Sequence, residues 1–538
     1  MMKNKFMNWS NLFKNYLKRD LKKIIIWVLS LGLFSSALMP AFVEMAQGQA
    51  LIGLFETMAN PAMIAMVGPT PIESAEYYTL GAMYAHEMLL MCCLFAMVVS
   101  TMHIISHTRK EEDLGMSELI RSFQVGRQAN SLAIMLEVIL INLAIAMLTF
   151  SVLLAFDDPS LTIEGSLLFS ISIGTSGIFG ALIALCCAQI MPNGSSATMS
   201  SLAIIGLLYL LRATTDVIDQ GLSLFNPMAW FYFTFPYTEN NWYLLSFALI
   251  LGIILLIIAF VLEEKRDVGA GYLKEKEGRA YAKKSLLSVT GLFLTLNKLA
   301  LIAWLITFSL IGGAYGAMYG DMQSFIEGND LMEQMFAQSG ITIEDSFTSL
   351  IVMVMASLVA ILPIVVMNRL FSEESKIRLS QIFSTKVSRT KLYWTSVIIA
   401  SVSGIIGLLL ASASLGYTGI YTMNDKTTLS ITTFLEAGAN FIPLIIFITG
   451  LTALFIGWQP KLSKIAYGYL AYTTLMAYFI NMIEIPDILQ KTSINNIIPL
   501  LPIAKFDLTT FIVITGIGLI MMVIGHFGYK KRDLIENG

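Results

Sequence analysis

The sequence predicts an all-α, polytopic integral membrane protein of about twelve membrane-spanning helices, arranged as two parallel six-helix repeats. Three observations lead there. The 538 residues are 56% hydrophobic and only 13% charged, with a mean hydropathy of +0.72, whereas a soluble chain of this length needs many more polar residues to cover its surface. Apolar runs of about 20 residues recur, each long enough to cross a hydrocarbon core roughly 30 Å thick. Of the 34 Lys and Arg, all but Arg212, Lys426, Lys491 and Lys505 fall within residues 1–23, 107–128, 263–298, 369–391, 458–465 and 529–538.

In chain order the spans are expected at about 24–43, 82–105, 130–154, 166–190, 199–217 and 243–262, then at 299–319, 348–369, 392–416, 433–457, 466–484 and 508–528. Backbone polar groups in lipid must bond within their own segment, so the spans are helices. Residues 24–43 are taken as an uncleaved first span, because the run is long and no small-residue cleavage site precedes the next polar stretch. The basic stretches all lie on one side of such an arrangement. The positive-inside rule makes that side cytoplasmic and places both termini there. The expected domains are a first six-span unit over 1–262, a basic cytoplasmic linker over 263–298 and a second six-span unit over 299–538. Lys-, Ile- and Asn-rich usage suggests a bacterial cell membrane.

The first unit opens on an amphipathic stretch. Phe6, Trp9, Phe13, Tyr16 and Leu17 share one helical face, and Lys14, Lys18, Arg19 and Lys22 the other. That pattern suits a helix in the membrane interface, or a basic flank that only sets topology. Two loops on the opposite side carry turn and aromatic signals: Asn60-Pro61 and Gly68-Pro69-Thr70-Pro71 in 44–80, and Asn226-Pro227 with Trp230, Phe231, Tyr232, Phe233 and Phe235 in 218–242. They read as interfacial anchors or as a gate. Cys92, Cys93, Cys186 and Cys187 are adjacent pairs inside spans, a poor disulfide framework, and read as small buried apolar residues.

The chain repeats itself. A gapless shift of 262 residues brings TRKEEDLGMSELIRSFQVGR (108–127) onto LFSEESKIRLSQIFSTKVSR (370–389), matching Glu111 with Glu373, Glu112 with Glu374, Ile120 with Ile382, Ser122 with Ser384, Val125 with Val387 and Arg127 with Arg389. Span 6 exits through Lys265-Arg266-Asp267 and span 12 through Lys531-Arg532-Asp533. Met116, Leu119, Ile120 and Phe123 have i, i+3, i+4, i+7 spacing, and the counterpart loop has Leu379, Ile382 and Phe383. Each loop therefore holds a short amphipathic helix, suited to a soluble partner or else resting on lipid or on the protein's own spans.

Glu-Glu, a turn, an amphipathic helix and Val-x-Arg after the second span of each unit resemble the permeases of type-2 ABC exporters. Within these, the fused two-unit branch described as exporters of polyketide antibiotics is similar over nearly the whole chain, including Asn60-Pro61, Gly68-Pro69, Leu211-Arg212 and the Arg-Asp exits. The resemblance implies that both loop helices couple to ATP-binding subunits through Glu111, Glu112 and Arg127 in the first unit and Glu373, Glu374, Arg378 and Arg389 in the second. It also implies two copies of a separate ATPase, which carry ATP and Mg, and an amphipathic or lipophilic cargo moved outward. The sequence departs from the family pattern at Met116, where Arg is usual, and at Ile377, where Gly is usual. No G-x-x-x-x-G-K-[ST] phosphate loop occurs and no extramembrane segment is large enough for a nucleotide-binding domain, so ATP hydrolysis is expected on the partner chain. No cofactor, metal or nucleic-acid partner is expected on this chain.

Charges inside the spans are costly and need partners. Glu137 is expected either at the solvated inner interface or as a site for a cation or proton. Arg212 and Asp216 are spaced i, i+4 and are expected to pair within one helix, with substrate contact as the alternative. Glu436 is expected at a solvated span end. His103, His107 and Glu111 have spacing that could hold zinc, but the membrane boundary is a poor setting for it. No Ser-His-Asp or Cys-His catalytic arrangement recurs, and the 31 Met suit packing or an adaptable pathway. An alternative function is a proton- or ion-coupled secondary transporter of the twelve-span type. Against it, the Gly-x-x-x-Asp-Arg-x-Gly-Arg run expected after span 2 is absent and embedded acids are few. A receptor or membrane-enzyme subunit is a third class.

Overall fold

The structure is a computed structural model that describes residues 5–45, 49–59, 61–156, 158–274, 280–321, 342–423, 429–479 and 487–533. All regular structure among these residues is helical. The chain divides into two compact units, Met1–Gly278 and Arg279–Gly538. The division falls within the stretch expected as the linker.

The first unit contains α1 (Trp9–Phe34), α2 (Pro61–Val67), α3 (Leu80–His107), α4 (Arg109–Asp113), α5 (Met116–Arg121), α6 (Ala129–Leu153), α7 (Ile163–Ile190), α8 (Gly194–Ile218) and α9 (Tyr243–Lys265). Side chains of Thr79, Thr162 and Asn193 accept hydrogen bonds from free N–H groups at the starts of α3, α7 and α8, which fixes where these helices begin. The hub is α7, packed against α3, α6, α8 and α9. Its many Gly and Ser residues let neighbouring backbones come close. A Cβ on Gly180 would stand 2.6 Å from the Met97 Cα, and Thr101 Oγ1 donates to the Gly180 carbonyl at 3.1 Å. The four cysteines are buried and unpaired.

The second unit contains α10 (Val289–Ala317), α11 (Ile343–Val359), α12 (Ile361–Ser375), α13 (Arg378–Phe383), α14 (Arg389–Thr422), α15 (Ile431–Ala439), α16 (Ile442–Trp458), α17 (Ile465–Phe479) and α18 (Leu508–Lys531). Here α14 is the hub, against α10, α12, α15 and α16, and α16 lies along α18. Two expected spans are each built from two helices. The first is broken at Ala360 and the second at Asn440–Phe441. Pro363 and Pro443 stand just beyond the breaks, where a residue lacking an N–H is tolerated in a helix's first turn.

Ten helical stretches among the described residues are long and apolar enough to cross a membrane. They match all the expected spans except 24–43 and 466–484. In the first of these, α1 runs unbroken from the basic, aromatic stretch into the apolar one and stops at Phe34. Residues 35–38 turn before a new short helix begins at Met39. Its apolar part is thus only about 11 residues, or about 16 Å, and the rest of its length is charged. In the second, 15 residues of α17 are described, and residues 480–486 lie outside the described set. Peripheral helices expose rows of large aliphatic side chains, such as Ile250, Ile253 and Ile257 of α9 and Ile512, Ile520 and Val523 of α18. Water would not favour such surfaces and a hydrocarbon solvent would. The chain is a polytopic membrane protein.

Candidate docking loops and buried charges

At the basic end of the first unit, α3 passes through Thr108 into α4 and then, through Gly115 at φ 75°, into α5. The acidic pair that begins this loop faces inward. Glu111 is buried and binds Arg19 of α1 at 2.9 Å and His107 at 3.1 Å. Glu112 binds Arg109 and Arg266, both at 2.8 Å, and accepts from the Gly269 N–H at 2.8 Å. Arg127 donates to the carbonyls of Glu263, at 3.1 Å, and Arg266. Asp20 completes the network. Burial raises its carboxyl pKa, but hydrogen bonds from Lys23 and Arg19 and the charges of His107 and Arg19 outweigh that, holding it below the ordinary value.

In the second unit the residues 262 positions on make corresponding contacts. Glu374 takes both guanidinium nitrogens of Arg532, with Nη2 at 2.7 Å. Arg389 donates to the Arg532 carbonyl at 2.8 Å. Glu373 binds Arg369 at 2.9 Å and Arg378 at 3.2 Å. In both units, then, the Arg of the Lys-Arg-Asp exit clamps the second Glu of the loop. A bidentate, largely buried Arg–carboxylate pair fixes geometry as well as charge. These carboxylates do not form an outer acidic patch. They hold the loop helices against the spans.

The surfaces held outward differ between the units. In the first, Leu114, Leu119 and Phe123 are 68%, 65% and 68% exposed, and Met116 is exposed beside them. The amphipathic helix therefore does not rest its apolar face on its own spans. In the second, the matching positions are Lys376, Gln381, Thr385 and Arg378. Leu379 is buried, and Ile382 and Phe383 pack against the unit's core. The turn before the helix also differs. Gly115 and Ile377 both take a left-handed conformation, with Ile377 at φ 61°. A β-branched residue there costs roughly 1–2 kcal/mol. Ile377→Gly is therefore expected to raise the unfolding free energy by about 1 kcal/mol, and Gly115→Val to lower it by about as much or more. Denaturant or thermal unfolding of the purified chain in detergent reads both.

Residues 286–530 match the model of a family described as the C-terminal domain of the multidrug efflux system permease Rv1217c. Over 534 residues the chain is 25% identical to the multidrug efflux system permease protein Rv1217c of Mycobacterium tuberculosis, covering 98% of this chain and 96% of that relative. Both matches name an efflux permease. The alignment spans both units.

The charges within the helices have separate roles. Glu137 of α6 is fully buried and meets His103 Nε2 of α3 at 3.2 Å, not solvent at a span end. His103 also stands edge-on to Trp27 of α1. His107 is engaged by Glu111 and Asp20 instead. The His103 and His107 rings lie edge to face, 4.5 Å apart, but they are engaged by different acids, and among the described residues no group of His, Cys, Asp and Glu is arranged to hold a metal.

At the opposite end of α3 the expected Arg212–Asp216 pair is present at 3.0 Å, both side chains buried. Sequence reasoning missed the rest of that cluster. Arg212 also binds the carbonyls of Ala65 and Met66, the latter at 2.8 Å, at the end of α2. Asp216 accepts from Tyr232, at 2.6 Å, and from Ser223. Nearby, His86 bridges the Tyr78 hydroxyl and the Gly68 carbonyl, each at 2.8 Å. A cation at the carbonyl end of a helix satisfies its orphan acceptors. The arrangement fastens the Gly68-Pro69 and aromatic loops to α8.

Proposed function

We propose that the chain is the membrane-spanning permease of an ATP-binding-cassette exporter, which moves amphipathic or lipophilic drug-like compounds out of the cell. The observation that carries this reading is the end-to-end likeness to a multidrug efflux permease, joined to an exposed apolar loop helix on an otherwise charged face. The finer points, that the system is of type 2 and of the fused branch resembling polyketide-antibiotic exporters, rest on the loop motifs and on the pattern of clamps in both units. ATP and Mg are bound by a separate subunit, present in two copies, one for each loop helix. Glu111, Glu112, Arg127, Glu373, Glu374, Arg378 and Arg389 transmit force by keeping the loops rigid on the spans, and the partner touches Leu114, Met116, Leu119 and Phe123. Both termini face the cytoplasm of a bacterial cell, in keeping with the distribution of Lys and Arg.

Purification of the tagged chain from its host in mild detergent tests this. A soluble subunit with ATPase activity, in a ratio of two to one chain, is the expected companion. A chain that purifies alone and exports cargo without ATP overturns the reading.

One observation favours a second reading. The buried Glu137–His103 pair could take up and release a proton within the spans, as a proton-coupled transporter requires. Under that reading export collapses when the proton gradient is dissipated, even with ATP present, and Glu137→Gln abolishes it.

A further inference from the structure

The cavity behind α5 in the first unit has a wall the coupling role does not explain. It is lined by four guanidinium groups, those of Arg109, Arg121, Arg127 and Arg266, and by the carboxyls of Glu112 and Glu263. Glu112 is taken by Arg109 and Arg266. Arg127 is spent on backbone carbonyls. Arg121 is half-buried and makes no hydrogen bond or ion pair with any described residue. Burial pulls its pKa below the ordinary value. Glu112 and Glu263 oppose that shift, and Arg127 and Arg266 add to it. Asp113 stands 3.7 Å from Arg109 Nε, and even with all three acids ionised the four guanidiniums outnumber the carboxylates by one. Such an excess around a guanidinium that has no partner among the described residues is costly unless an anion enters.

The second unit provides the contrast. The position 262 residues after Arg121 is Phe383, and the one after Arg109 is Phe371. The Arg389 guanidinium stands over the Phe383 ring at 6.0 Å, and Arg532 is matched by Glu374. The same clamp can therefore be built without the two extra arginines, so the clamp alone does not explain them.

We propose that the cavity behind α5 is a phosphate-binding pocket, with Arg121 as the cation that contacts the ligand and Arg109, Arg127 and Arg266 as its positively charged frame. Guanidinium is suited to this task because its planar fork matches phosphate oxygens. The cavity measures about 30 Å³, room for about two waters or for the oxygens of one phosphate group whose remainder projects outward. It lies where α3, α7 and α9 end and α6 begins. A phosphate could arrive there as the headgroup of an anionic phospholipid or as a free phosphate.

The test is thermal unfolding of the full chain in nanodiscs of phosphatidylcholine, titrated with inorganic phosphate or with increasing phosphatidylglycerol, at constant ionic strength. Wild type is expected to be stabilised by at least one of the two. Response to phosphate identifies a free anion as the source, and response to phosphatidylglycerol alone identifies a headgroup. Arg121→Phe, the residue of the second unit, is expected to weaken the response at least tenfold. Without either anion, this variant should melt at or above the wild-type temperature, because crowding among guanidiniums is relieved. Arg121→Gln repeats the test without adding a ring. If neither anion stabilises wild type, or if both variants respond as wild type does, the pocket is not a phosphate site.

Discussion

If the proposed ATPase docks on the first loop, Leu119→Asp combined with Phe123→Asp is expected to uncouple it from the permease while leaving the chain folded. Both side chains are about two-thirds exposed, so burying the new carboxylates is not required in the isolated chain and its stability should change by less than about 0.5 kcal/mol. In the proposed complex the same positions would be the apolar anchors of the interface. Truncating or charging such an anchor costs about 2–4 kcal/mol, a loss of about 30- to 1,000-fold in affinity. The matched changes Gln381→Asp and Thr385→Asp in the second unit replace residues that are already polar and should weaken binding several-fold at most. Titration of the purified ATPase onto the immobilised chain reads the difference. Equal losses from the two loops would mean that the exposed apolar tip is not the dominant contact.

Arg212→Met is expected to destabilise the chain far more than any of the loop substitutions. It leaves Asp216 as a buried carboxylate without its cation and strips the α2 carbonyls of their donor. Breaking a buried pair from one side costs about 3–5 kcal/mol, and the orphaned carbonyls add about 1–3 kcal/mol. The double change Arg212→Met with Asp216→Leu removes the buried charge but not the orphaned carbonyls, so it should recover part of the loss. Unfolding of the three proteins in detergent separates these contributions. A single substitution no worse than the double would show that Asp216 is solvated and the cluster is not a clamp.

The repeated helix pattern was legible because span length and hydropathy follow from the bilayer itself. Arg212–Asp216 was legible because its partners are one turn apart. Glu137 was not, since its partner His103 lies on another helix, 34 residues away. The four loop glutamates were found from the repeat, but their direction was not. Six arginines bind them, and four of these, at 19, 266, 369 and 532, draw them inward from outside the loops. The matching Arg266 and Arg532 exits were the signal that could have shown it. The end of α1 at Phe34 was also missed. The apolar run continues to residue 43, and the turn at 35–38 is set by packing and by Ser36, which donates to the Gly32 carbonyl at 2.7 Å, rather than by a loss of hydropathy.

Export of a fluorescent lipophilic compound from proteoliposomes is the most direct measurement. The vesicles would contain the wild-type chain or the Leu119→Asp, Phe123→Asp variant, each with the ATPase and with a proton ionophore present. Export that requires ATP, persists without a proton gradient and falls at least tenfold in the variant is the expected result. Export that needs the gradient but not ATP, and is indifferent to the variant, would contradict an ATP-driven permease and make Glu137 and His103 the residues that power transport.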